Sequence, residues 1–416
     1  RIRLTYFNAP PADHPTLLLD ADITAPILER LYPGAELVPV DLKPNAHVVQ
    51  LTNRTFSNTK LKTVTVRREL VRLVRAEVLR DTAGKGVLCV ATRKAVKAFF
   101  EDAGHDFTGQ DPSAVSARML NTELHGARWL WFGPASLGRN DWQDFETVLV
   151  MGREDIGVDP LEDLARAFFG DTGEPLNFVK PDEKGHKFMP NAVLRLAMEN
   201  GESWGIHGRA HHDTRIRSLQ MQTRELAARQ AIERLRLVNA PERKRVVICS
   251  TVPVPGLPVS ELVSWDEIVP TRLQAAMAEA AQKGGVLRFS ASGLCSDAPD
   301  EFPTAKSAEH WLDKEGKGAI ADLTPPPVII PYYPLGGLSF AHFDRTQRAQ
   351  GPRWPLSLVQ TPAQWQSGPW ARCRCLRGRN PQRLLRLRHT NHRAWLPHGM
   401  ITKPHRIGRT HLCPST

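Results

Sequence analysis

The chain lacks the motifs that mark several large enzyme classes. It contains no G-x-x-x-x-G-K-[ST] phosphate loop, no G-x-S-x-G nucleophile turn and no H-E-x-x-H zinc pair. No apolar run approaches the roughly 18 residues that cross a bilayer, so no membrane partner is predicted. Cys373-x-Cys375 and His389-x-x-His392 carry nominal zinc ligands, but one residue between the cysteines is too short for the usual hairpin. No metal site is predicted.

Acidic residues are missing from the C-terminal part. The chain of 416 residues has a formal charge of +11, yet 14 Lys and Arg and no Asp or Glu follow from Arg345 onward. The preceding part is therefore slightly acidic, and the high charge does not indicate a nucleic-acid surface spread over the folded body. Cys89, Cys249 and Cys295 are scattered singly through that part, which is typical of reduced thiols and favours a cytoplasmic location.

Strand and helix patterns alternate along the body. Short apolar runs predict strands, and longer amphipathic segments predict helices that include 24–32, 65–80, 93–103, 160–169 and 213–238. The predicted strands outside the hairpin are 17–19, 36–40, 47–52, 86–91, 127–132, 147–151, 246–250 and 286–290. Because several runs are apolar throughout rather than alternating, they predict an α/β fold with a mostly parallel sheet and helices on both faces. Asn200-Gly201 predicts a hairpin between 193–198 and 203–207.

Composition divides the chain into three parts. Residues 1–245 are predicted to form the main domain, 246–323 a small accessory α/β region, and 324–416 a Pro-rich linker followed by an Arg-rich tail. The tail shows no convincing periodicity and is predicted to be disordered and unpacked. Three interpretations stay open for it: a basic arm that binds nucleic acid, an out-of-frame reading of a GC-rich gene, or a folded module.

Two segments carry groups suited to phosphate. Gly138-Arg139-Asn140 offers backbone N–H groups, a guanidinium and an amide in a loop between two strands. Gln230 and Arg234 are four residues apart and share a helix face, with Arg236 nearby. A planar guanidinium such as Arg234 can neutralise charge on a transferred phosphoryl group. The alternative for Gly138-Arg139-Asn140 is an ordinary turn with a solvated arginine. The alternative for Gln230, Arg234 and Arg236 is a surface helix with solvated arginines.

Four segments in this order suggest a family. They are LLLDADITAPI (17–27), GVLCVATRKAV (86–96), LGRNDWQDFETVLVMGRE (137–154) and the Gln230–Arg236 helix end. The chain resembles the C-terminal motor lobe of superfamily-two-like DNA helicases, of the type within large phage- or plasmid-borne helicase/primase-like proteins. It departs from the pattern at Glu233, where the family has Gly, and at Arg236, which falls one place early.

The resemblance implies a RecA-like lobe over residues 1–245, with the first 22 residues belonging to the end of an upstream lobe missing from the chain. ATP and Mg would be bound jointly with that lobe, and the chain alone would be inactive. The implied catalytic residues are Arg234, Gln230 and Arg236, and the implied nucleotide-binding residues are Arg153 and Asp20. Single-stranded DNA would be bound by Thr92, Arg93, Lys94, Gly138, Arg139 and Asn140. The alternative is a non-catalytic nucleic-acid-binding or replication-scaffold protein that uses its basic tail.

Overall fold

The computed structural model describes residues 16–20, 22–40, 42–133, 140–283 and 286–321, with the backbone of three further segments at 338–340, 358–359 and 384–389. The predicted linker and most of the tail lie outside the described residues. No described helix is long and apolar enough to cross a membrane.

The body is built on a parallel sheet. The first nine strands of the chain are β1 (Ala46–Leu51), β2 (Val87–Ala91), β3 (Arg128–Trp131), β4 (Thr147–Met151), β5 (Asn191–Ala197), β6 (Ser203–Arg209), β7 (Lys244–Cys249), β8 (Glu261–Val263) and β9 (Val286–Arg288). Six of them form the parallel sheet in the order β3-β2-β4-β7-β1-β8. Every residue of β2 and β4 is buried, as expected of strands covered on both faces. The predicted α/β fold with a parallel sheet is confirmed.

Helices cover both faces of this sheet. The described helices are α1 (Ala25–Leu31), α2 (Val64–Arg80), α3 (Arg93–Asp102), α4 (Pro112–Asn121), α5 (Val158–Phe169), α6 (Thr214–Thr223), α7 (Glu225–Ile232), α8 (Trp265–Ile268), α9 (Arg272–Lys283), α10 (Ala291–Asp297), α11 (Ala305–Trp311) and α12 (Lys317–Ala321). One hydrophobic cluster joins α2, α3 and α4 to the sheet, and a second joins the opposite face to α7. Asp111 and Asp213 cap α4 and α6 by accepting hydrogen bonds from backbone N–H groups.

The predicted hairpin is present as the antiparallel pair β5–β6. Gly201 in its turn has φ +89, a conformation that glycine adopts without strain. Glu199 N donates to Val259 O at 2.9 Å and Val259 N donates to Ala197 O at 2.9 Å, so the loop after β7 anchors the hairpin to the body.

The accessory region is smaller than predicted. The boundary expected at residue 245 falls inside β7, a central strand whose last four residues are apolar and buried, and β8 belongs to the sheet as well. A separate hydrophobic cluster begins at Leu273 and ends at Trp311. Buried ion pairs tie this region to α2, with Arg72 Nη2 lying 2.9 Å from Glu301 Oε2.

Other expectations differ from the structure. Residues 17–19 and 36–40 form no strand, because Leu17, Leu19, Val38 and Val40 are exposed and lie beside no partner strand among the described residues. The helix predicted over 213–238 is divided at Arg224, which has φ −118 and ψ −71 and buries its guanidinium.

The tail is predicted from the sequence to be disordered, but three of its segments form strands. Its described backbone forms β10 (Leu338–Phe340), β11 (Leu358–Val359) and β12 (Leu384–His389), and β12 pairs antiparallel with β9. Leucine and arginine alternate along residues 385–388, which is the period-two pattern of a strand.

Candidate functional site

The carboxyl edge of the sheet gathers several predicted residues. β3, β2 and β4 are consecutive parallel neighbours, so the loops that follow them emerge at one edge, as the sequence predicts for β2 and β3. From β2 the chain passes to β3 on one side, and from β4 it passes to β7 on the other. Ligands of open parallel sheets bind where successive connections diverge in this way. The crevice between the ends of β2 and β4 is therefore the favoured position for a site.

Thr92, Arg93 and Lys94 lie at the β2 end of this crevice. Thr92 is buried, whereas Arg93 and Lys94 are exposed. Arg93 Nη2 donates to Ser116 Oγ at 2.8 Å and to Pro112 O at 3.0 Å, so α4 holds this guanidinium. Lys94 makes no hydrogen bond or ion pair with the described residues. Its ammonium group is therefore available to an anionic ligand at this edge.

Arg153 lies at the β4 end of the crevice, but its charge is already paired. Its Nη1 donates to Thr55 Oγ1 at 2.7 Å, and its Nη2 lies 3.0 Å from Asp155 Oδ2. Burial raises the pKa of the neighbouring Glu154. Gly152 precedes Arg153 with φ +82, and a Cβ there would lie 2.4 Å from Phe56 O. The loop is thus packed tightly against the segment that follows β1.

The Gly138-Arg139 pair lies outside the described residues. Asn140 is described, and its Oδ1 accepts a hydrogen bond from Arg236 Nη2. Arg236 has φ +54, a left-handed conformation uncommon for residues other than glycine. The structure therefore brings together two residues that sequence analysis placed in different roles, DNA binding and catalysis.

Arg234 lies in the 3-10 turn that follows α7. Its Nε donates to Gln230 O at 3.1 Å, and burial followed by the positive charge of Arg236 lowers the pKa of Arg234. The partly buried guanidinium of Arg234 therefore lies near the exposed Arg236 and near the Glu233 carboxyl, whose pKa is raised by burial. Such an arrangement favours an anion.

Asp20 and Gln230 meet through Asp22. Asp22 N donates to Asp20 Oδ1 at 2.7 Å, and the Gln230 side chain hydrogen-bonds the buried Asp22 carboxyl. Asp22 Oδ1 also lies 3.5 Å from Arg229 Nε. Burial is the largest effect on the Asp22 carboxyl and raises its pKa. The segment before α1 is thus attached to the C-terminal half of α7.

The predicted residues divide between two edges of the sheet. Asn45 N, immediately before β1, donates to Leu237 O at 3.0 Å, which places the end of the Arg234–Leu237 segment at the amino edge. Arg93, Lys94 and Arg153 follow the carboxyl ends of their strands. The arginine pair and Arg153 therefore do not form one site in this chain.

Sequence analysis missed a buried charged cluster at the start of α7. Glu225 is 2% exposed and accepts from Arg224 Nη2 at 2.7 Å and from Arg217 Nη2. A second buried pair joins His211 Nε2 to Glu162 Oε1 at 3.5 Å, and burial lowers the pKa of His211. Adjacent Arg-Glu is a common surface pair in helices, so periodicity gave no sign that these charges would be buried.

No group of His, Cys, Asp or Glu among the described residues is arranged to hold a metal ion. No protein-family model, curated protein or solved structure is detectably similar to the chain.

Proposed function

We propose that the chain is the C-terminal lobe of an ATP-dependent DNA helicase or translocase with a RecA-like fold. Single-stranded DNA crosses the carboxyl edge of β2 and β4 in this proposal. The observation that carries it is the adjacency of these two strands with diverging connections, which sets the exposed Lys94 at the crevice. A sequence-tolerant strand path needs cations along the backbone, and Lys94 and Arg93 supply them.

The order of the four family-like segments supports the same function. Segment 86–96 comprises β2 and the first turn of α3, and the described part of 137–154 leads into β4 and its terminal loop. These are adjacent strands, as one continuous path for a nucleic-acid strand requires. Segment 230–236 contains the C-terminal end of α7, which packs on one face of the same sheet.

Among the described residues, the arginine pair offers the best fit to a triphosphate. Arg236 is close enough for its charge to disfavour the charged form of Arg234, and a γ-phosphate brought by another lobe would relieve that repulsion. ATP with Mg would supply the phosphoryl group whose negative charge these guanidiniums stabilise. Arg153 does not fit this role, because Thr55 and Asp155 occupy its guanidinium at the other edge.

Binding of a fluorescent oligothymidylate by the full chain, followed by anisotropy over a salt series, tests the strand path. Lys94→Ala is the decisive variant because it removes a charge without breaking an internal contact of the described residues. We expect a loss of about 1 kcal/mol, roughly fivefold in Kd, and a shallower salt slope by about 0.7.

Lys43→Ala is the matched control. Lys43 is exposed, makes no hydrogen bond or ion pair with the described residues and precedes β1, so it lies at the opposite, amino edge of the sheet and the change in charge is identical. Wild-type affinity for the Lys94→Ala variant would refute the proposed path. It would favour binding by the tail, where 14 basic residues occur without an acid from Arg345 onward.

A further inference from the structure

A segment without acidic residues leads from β1 into α2. Residues 43–68 contain six Lys and Arg and no Asp or Glu. β1 runs parallel to β7 and, through it, to β4, so the loop that follows β1 emerges at the carboxyl edge of the sheet. The loop therefore lies at the same edge as Lys94, although none of its lysines belongs to the proposed strand path.

Two arginines of this segment are used to fix it in place. Arg54 Nη1 lies 2.8 Å from Glu69 Oε2 on α2. Arg67 Nη1 donates to Leu61 O at 2.7 Å, and its Nε donates to Asp102 Oδ2 at 2.6 Å. These contacts join the loop after β1 to α2 and α3, so the loop presents its remaining side chains from a fixed backbone.

A 3-10 turn in this loop presents two lysines. We call Lys60–Lys62 the lysine turn. Its central residue, Leu61, is 1% exposed, and a Cβ added to Gly152 would lie 3.1 Å from Leu61 Cδ1. Lys60 and Lys62 are exposed, and their side chains form no hydrogen bond or ion pair with the described residues. A buried leucine therefore anchors the turn beside the end of β4, with one available ammonium group on each side.

The strand register places the lysine turn close to Lys94. β2 and β4 pair in parallel as far as Val90 and Val150. Thr92 and Gly152 each lie two residues further on, and neighbouring strands are about 4.8 Å apart. The turn packs on Gly152 and also contacts α3, the helix that carries Lys94 in its first turn. The crevice between the ends of β2 and β4 therefore has lysines on both of its sides.

Most acidic residues packed around the lysine turn are already paired. Asp102 and Glu69 are held by the two arginines of the segment, and Asp155 is held by Arg153. Glu154 has no such partner among the described residues, and burial raises its pKa. The three lysines at the crevice outnumber this one carboxyl group, so the crevice favours a chain of negative charges over a cation.

We infer that the lysine turn binds backbone phosphates of a single nucleic-acid strand and forms the second wall of the strand path. The strand then passes between Lys94 on one side and Lys60 and Lys62 on the other. Ammonium groups that contact phosphates fix the position of a strand without reading its bases, so binding is tolerant of sequence. This inference rests on the proposed function and names a further group of residues that holds the strand.

Anisotropy of a fluorescent oligothymidylate with the full chain, measured over a salt series, tests the turn. The double variant Lys60→Ala/Lys62→Ala should bind about tenfold to thirtyfold more weakly, with a salt slope shallower by about 1.4, because two phosphates lose their partners. Lys60→Arg/Lys62→Arg keeps both charges and should bind like the wild type. Lys43→Ala removes a lysine of the same acid-free segment at the opposite edge and should also bind like the wild type. Unchanged urea midpoints would show that all these variants are folded.

The possible results separate this inference from the proposed function. Wild-type affinity of Lys60→Ala/Lys62→Ala would overturn the inference, whereas the result for Lys94→Ala would still decide the proposed path. Weaker binding by the double variant together with wild-type binding by Lys94→Ala would support the turn as a strand-binding surface and refute the crossing at β2. Inorganic pyrophosphate is the probe for a small anion. If it displaced the oligonucleotide at equal phosphate concentration, the turn would be a site for an isolated anion and the inference would be overturned.

Discussion

Substitution of Gly152 by alanine should strongly destabilise the body of the protein. Gly152 follows β4 with φ +82, and an added Cβ would lie 2.4 Å from Phe56 O and 3.1 Å from Leu61 Cδ1. A left-handed backbone costs a residue with a Cβ about 1–2 kcal/mol. Overpacking adds about 1–3 kcal/mol, and the upper part of that range applies because a backbone oxygen cannot rotate away as a side chain can. The expected loss is therefore about 3–5 kcal/mol.

Gly173→Ala separates the two contributions. Gly173 has φ +78 but nothing lies within 4 Å of its added Cβ, so only the conformational cost of about 1–2 kcal/mol is expected. Urea unfolding of the two variants and the wild type, followed by circular dichroism, gives the difference between them. Equal losses would refute the argument, because they would show that the segment at Phe56 moves freely and that the loop after β4 is not packed against it.

The same contact bears on the proposed strand path. Phe56 is fully buried and packs its ring 4.8 Å from the ring of Trp265, so its carbonyl has little freedom to move. Thr55, the preceding residue, holds the guanidinium of Arg153. A shift forced by Gly152→Ala would therefore break the hydrogen bond from Arg153 to Thr55 and leave the guanidinium paired with Asp155 alone. Altered DNA binding by that variant would report movement of Arg153 at the crevice between β2 and β4.

Local patterns in the sequence were sufficient for most of the body. Continuous apolar runs predicted β2 and β4, and apolar residues at helical spacing predicted α2. Such patterns are reliable because the residues that an element buries are spaced at the period of that element. α4 was not predicted, although Asp111 followed by Pro112 is an N-cap signature that could have revealed it.

The arrangement of the candidate sites could not be obtained in the same way. Hydrophobicity predicted that residues 36–40 form a strand, but whether a strand finds a neighbour depends on the whole sheet, and Val38 and Val40 remain exposed. A cavity in the body is lined by Gln50, Leu196, Val259 and other residues that are far apart in the sequence. No local sequence pattern could therefore predict it. The separation of Arg153 from Arg234 likewise follows from helix direction and strand order rather than from spacing.

Two further predictions concern activity and pH. The purified chain should release no phosphate from ATP, because its sequence holds no phosphate-binding loop, and turnover abolished by Arg234→Ala would reveal a phosphate site of another kind. His125 has φ +56 and lies against Arg75, and burial followed by the charge of Arg75 lowers the pKa of His125 from 6.5 to about 4. Between pH 6.5 and pH 4, His125 is protonated in the unfolded chain but stays neutral in the folded chain. The free energy of unfolding is therefore unaffected by His125 above pH 6.5 and decreases as the pH falls towards 4. The expected loss is about 3 kcal/mol over that interval, measured from urea midpoints. His125→Asn keeps a residue that tolerates positive φ and removes the titration, so its midpoint should fall less on acidification; an equal fall in both proteins would show that other groups control the acid sensitivity.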